Sequence, residues 1–192
     1  MFAFVSSITP GPNNLMLLTS GVNFGFRPTI PHMLGISFGF GLLVMSVGLG
    51  IGQLFETFPS AYLVMKWIGV AYMVYLAWGI ANAGGLSSSN TPSKSALKPM
   101  TFLGAAAFQW VNPKAWVMAI GVFSTFLPGQ SGLAVVLLVA GIFCAINLPS
   151  VSVWAYFGAR LRVAFESPQF RKVFNYLMAG LLMLSLAPIF FA

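Results

Sequence analysis

Apolar runs follow one another along this chain, separated by short polar connections, over about 1–22, 33–55, 61–80, 102–127, 133–157 and 173–191. A helix rises about 1.5 Å per residue, so runs of about 20 residues each cross a hydrocarbon core of roughly 30 Å. The pattern predicts an all-α polytopic membrane protein with six transmembrane helices. One connection differs in kind: residues 82–101 turn to glycine, serine and proline around Gly84, Gly85, Ser87, Ser88 and Ser89, and read as a flexible linker. It divides a single transmembrane domain, 1–192, into a part over 1–81 and a part over 102–192, with three runs in each. An odd number of spans inverts the second part relative to the first, which gives two inverted three-helix repeats.

Polar and helix-breaking residues interrupt corresponding runs of the two parts. The first carries Thr9-Pro10-Gly11-Pro12-Asn13-Asn14 and the fourth carries Asn112-Pro113-Lys114. Proline removes a backbone donor and clashes with the preceding turn, and in hydrocarbon the freed carbonyls need partners from protein or from a water-lined cavity. Paired interruptions of this kind are the strongest sequence pointer to a transporter's binding site. A third interruption is expected in the fifth run, at Asn147-Leu148-Pro149-Ser150. Gly35 and Gly39, and Gly48 and Gly52, have the spacing that lets helices approach closely.

Composition confirms the class and narrows the chemistry. The chain is 58% hydrophobic and 6% charged with mean hydropathy +0.90, whereas soluble domains are about 25% charged. The net charge of +7 does not point to nucleic acid. Arg27, Lys94 and Lys98, and the group Arg160, Arg162, Arg171 and Lys172, fall in alternate connections, and the other two connections have no basic residue. This is the signature of membrane orientation; it predicts a multi-pass inner-membrane protein with both termini on the outer side. The cluster from Arg160 to Lys172 also suits lipid headgroups. The amino-terminal run lacks a basic leader and is not read as cleaved. Cys144 is the single cysteine, so an internal disulfide, a redox pair and a thiolate cluster are excluded, and no cofactor or metal is implied. His32 borders the first connection and reads as interfacial.

A break at each position leaves a half-helix whose amino end carries a partial positive charge toward mid-membrane, where a carboxylate can be held. The expected substrate-binding set is Pro10, Gly11, Pro12, Asn13 and Asn14 from one part, Asn112, Pro113 and Lys114 from the other, and Asn147. A buried lysine is costly and pairs either with an anionic substrate group or with freed carbonyls. The only acids, Glu56 and Glu166, fall in connections, so a cationic substrate lacks a partner. With no acid pair, histidine cluster or serine–histidine pair, an enzyme is unsupported. The expected partners are a small amino-acid substrate and membrane lipid, not nucleic acid; a homo-oligomer stays open. The alternative is a non-transporting accessory or structural subunit whose kinks serve packing.

The combination of Thr9-Pro10-Gly11-Pro12-Asn13, Gly25-Phe26-Arg27, Lys66-Trp67-Ile68-Gly69 and Asn112-Pro113-Lys114-Ala115 resembles the LysE/RhtB family of amino-acid exporters. Within it, the first motif with Ser124-Thr125-Phe126 is most similar to the cysteine and O-acetylserine branch. The resemblance implies six spans in the inner membrane and outward transport of amino acids by proton antiport. It also implies a longer outer end before the first motif than the seven residues that precede Ile8 here. Basic-amino-acid exporters of the family carry intramembrane aspartates. None occurs in this chain, which fits a small neutral substrate of the cysteine, O-acetylserine, threonine or homoserine class.

Overall fold

The computed structural model describes residues 1–51, 57–83, 98–127, 132–164 and 167–187, and every regular element among them is helical. Helix α1 (Phe2–Ile8) and helix α2 (Pro12–Phe24) are the two halves of the first run. The break between them has a local cause. Thr9 and Gly11 each precede a proline, which disfavours the helical conformation, and both are extended, with ψ 147° and 177°. Pro12 then opens α2 at a position where a missing donor costs nothing.

The second part repeats the device. Helix α5 (Phe102–Phe108), capped by the Thr101 hydroxyl on the Gly104 amide, passes into a 3-10 turn (Gln109–Val111). Asn112, also before a proline, is extended with ψ 110°, and Pro113 opens helix α6 (Pro113–Phe126). Between these lie α3 (Phe26–Gly48) and α4 (Pro59–Asn82); α7 (Leu133–Ala164) and α8 (Pro168–Leu184) follow. Among the described residues three helical stretches are long and apolar enough to cross a membrane, Phe26–Gly48, Leu63–Asn82 and Leu133–Arg162.

Three expectations need correction. The fifth run is not interrupted: α7 passes through Asn147, Leu148 and Pro149 without a break. A lone proline removes one hydrogen bond, and the Ser150 hydroxyl donates to the Ile146 carbonyl at 2.7 Å beside it. The second run begins earlier than expected, because only Gly25, with φ 88°, leaves the helix. Pro28 falls in the first turn of α3, where it is tolerated, and His32 is consequently buried inside α3, not interfacial. Arg27, Arg160, Arg162, Arg171 and Lys172 sit on helix ends, not in loops. Most of the expected linker, together with Gly52, Glu56 and Glu166, lies outside the described residues.

The long helices pack around the interrupted ones. Gly21 of α2 and Gly158 of α7 lie against each other's backbones, so a side chain at either would collide with main-chain atoms of the other helix. Gly35 and Gly39 bring α3 equally close to α5, at Phe102 and Ala106, as their spacing predicts. Phe40, Trp116 and Phe143 join α3, α6 and α7 in one core cluster, and Met16, Met73, Phe108 and Leu182 join α2, α4, α5 and α8 in another. Leu63, Val64, Trp67 and Ile68 of α4 and Leu138 of α7 point outward, the burial pattern of a protein whose solvent is lipid.

Candidate functional site

The end of α1 has six consecutive carbonyls that continue into no helix, and each has a donor. The Val5 carbonyl accepts from the Thr9 amide at 3.1 Å and the Ser6 carbonyl from the Thr9 hydroxyl at 3.1 Å. Asn14 Nδ2 donates to the Ser7 and Thr9 carbonyls, both at 2.8 Å, and Trp154 Nε1 to the Ile8 carbonyl at 3.0 Å. Lys114 Nζ reaches across from α6 to the Thr9 carbonyl at 2.7 Å, the Thr9 hydroxyl at 3.0 Å and the Pro10 carbonyl at 3.2 Å. The lysine thus takes the second of its two expected pairings, with freed carbonyls.

A second set of bonds ties the two breaks and α7 together. Asn13 and Gln109 exchange amide bonds at 2.8 and 3.2 Å, and Gln109, fully buried, also donates to the Ala105 carbonyl at 2.9 Å. Asn147 donates to the Ser7 hydroxyl at 3.2 Å and accepts from the Ser37 hydroxyl at 3.1 Å. The Asn112 side chain caps α6 by accepting from the Lys114 amide at 3.2 Å, whereas no side chain caps α2.

These groups surround one cavity of about 20 Å³, with Gly11, Asn13, Asn14, Asn112, Lys114 and Asn147 on its wall. Of the expected residues, these six are brought together. Pro10, Pro12 and Pro113 shape the backbone behind them and are not on the wall. Ser6, Ser7 and Gln109 line the cavity as well and were not singled out from sequence; a glutamine in an apolar run three residues before Asn112 was the available signal. The volume admits about one water molecule, too little for an amino acid. No acidic residue is found among the described residues, and the wall's one full charge is positive.

The LysE type translocator family model matches residues 4–191. This chain belongs to that family. Members are transporters, which makes the translocator a transport protein and not an enzyme, and sets aside the accessory-subunit alternative. Cysteine/O-acetylserine efflux proteins of Escherichia coli strain K12 and Shigella sonnei strain Ss046 are 32% identical to it. The match covers 99% of this chain and 94% of each relative. No solved structure matches the translocator.

Proposed function

We propose that this translocator exports a small neutral amino acid or derivative, of the cysteine, O-acetylserine, threonine or homoserine class, across a bacterial inner membrane. The observation that carries this reading is the pairing of the uncapped amino end of α2 with the Lys114 ammonium on one small cavity. Free amides and a partial positive charge at a helix start, joined by a full positive charge, match a carboxylate. The lack of an acidic residue on the wall leaves a cationic side chain without a partner. Kinship with cysteine/O-acetylserine efflux proteins favours the same class.

Transport then works by alternating access. Two inverted halves, 1–81 and 102–192, each with three membrane-crossing segments, rock about the breaks, with both termini on the outer side. Support comes from the matched construction of α1–α2 and α5–α6, and from α3 touching both halves of α5–α6 while α7 touches both halves of α1–α2. Lipid covers the apolar outer faces, and proton antiport supplies the driving force. A substrate carboxylate takes Lys114 from the Thr9 and Pro10 carbonyls, which loosens the tie between the two breaks as the substrate binds.

The test is loss of label from cells preloaded with cysteine, O-acetylserine, threonine, homoserine or lysine, with and without the translocator. Faster loss of a neutral compound and no change for lysine is expected. Export of lysine alone, or of none with the protein inserted, contradicts the reading.

A further inference from the structure

A second cavity, of about 630 Å³, opens at the other end of α2, between α2, α3 and α4 and beside Lys98. It is large enough for an amino acid, and it lies at the basic end of the molecule: Arg162 of α7 reaches to within 3.0 Å of where a side chain on Gly25 would start. Met16 is on its wall and Asn13, three residues earlier, is on the wall of the small cavity, so α2 runs from one to the other. The Asn13–Gln109 amide pair is on the wall of the small cavity, and Met16, on the vestibule wall, packs with Met73 and Phe108.

The polar side chains of α2 and α3 on this vestibule's wall are satisfied, with one exception. Thr29 donates to the Gly25 carbonyl at 2.8 Å, so its hydroxyl accepts from Ser20 at 2.8 Å. Thr19 donates to the Leu15 carbonyl, and Asn23 donates to the Thr19 carbonyl and to Asn175. His32 is also on the wall, is 2% exposed, and has no partner for either ring nitrogen. A buried polar group without a partner is destabilising and calls for an explanation, and a missing ligand is one. An imidazole offers a donor at one nitrogen, and Lys98 is the one charged residue on the wall among the described residues, so the complementary ligand carries a carboxylate.

The geometry points to the vestibule as the loading site for the exported amino acid, with His32 as the residue that receives its carboxylate before the Asn13–Gln109 pair opens. This rests on the exporter reading and adds to it a first binding site on the basic side, separate from the cavity at the breaks. Both ring nitrogens are sealed from the vestibule in this conformation, so the ring turns toward it to receive the carboxylate.

The experiment is uptake of labelled O-acetyl-L-serine into inside-out membrane vesicles, as a function of concentration, with rates normalised to inserted protein. His32→Leu removes the hydrogen-bonding groups and should raise KM about tenfold with kcat within about twofold; His32→Gln, which keeps a donor, should stay within about threefold of the parent KM. Lys98→Gln should raise KM about threefold at low salt. Saturable transport by the parent with an unchanged KM in His32→Leu overturns the loading site and leaves the exporter standing. No transport by the parent of O-acetylserine, cysteine, threonine or homoserine overturns the exporter reading, and the loading site with it. If His32→Leu fails to insert, Lys98→Gln decides: a raised KM supports the loading site and an unchanged one overturns it.

Discussion

The two breaks start alike and end differently. In each, a seven-residue helix, followed at the second by a 3-10 turn, gives way to a residue held extended by the proline after it, and a longer helix begins on a proline. At the second break the chain caps its own new helix with Asn112. At the first break nothing caps α2, and the carbonyls at the end of α1 are served from outside, by Asn14, Trp154 and above all Lys114. One break is self-sufficient and lends a lysine; the other is left short of partners and borrows it. That asymmetry is what makes a binding site: only the first break leaves its helix start without a side-chain cap, and a movable cation lies beside Gly11 at that start.

Removing the borrowed lysine should break the comparison most severely. Lys114→Ala leaves the Pro10 carbonyl without its donor and the cavity without its charge. Hydrogen bonds to charged groups contribute about 1.5–3 kcal/mol, so efflux should fall about ten- to hundredfold. The amount of inserted protein, read from membrane fractions, should fall less than about twofold. Equal loss of both would make the lysine structural. Gly11→Ala is a milder disturbance. Its Cβ would stand 2.7 Å from Lys114 Cδ, so the flexible lysine must shift while the extended backbone at Gly11 accommodates alanine. The expected result is a KM raised about three- to tenfold with little change in insertion; an unchanged KM would show that the exact seat of the lysine is immaterial.

The smallest effect is expected where a proline does not break its helix. Pro149→Ala restores a hydrogen bond in a helix that is already continuous, so efflux should stay within about twofold of the parent. A large loss would mean that α7 bends at Pro149 as part of the transport cycle.

The prolines at 12, 113 and 149 also mark what could be read from the sequence. Pro12 and Pro113 announce real breaks because each follows a residue forced out of the helical conformation and each lands at a helix start. Pro149 looks similar in the sequence, yet it costs one bond in the middle of a long helix, which neighbouring packing and Ser150 absorb. The pairing of Lys114 with carbonyls was legible as one of two choices, since a buried ammonium has few. Gln109, Ser6 and Ser7 were not, because their role depends on α1 meeting α7 and on the turn after α5 meeting α2, and nothing local fixes those meetings. His32 was misplaced by an error of about two turns in where α3 begins: glycine and proline at 25–28 suggest a loop, but a proline in a first helical turn is harmless. The glycines of α3 were read correctly, since small residues one turn apart have few uses other than close approach.

The account's central claim is that Lys114 and the open start of α2 hold a carboxylate. It is tested most directly by measuring efflux of an amino acid against its carboxamide, in the parent and in Lys114→Ala. Labelled serine-class substrates and their amides, loaded equally, are suitable probes once the exported compound is known. The parent should prefer the carboxylate by about tenfold or more, and Lys114→Ala should lose most of that preference, mainly through slower carboxylate efflux. A preference that survives intact in Lys114→Ala would contradict the claim and place carboxylate recognition elsewhere in the molecule.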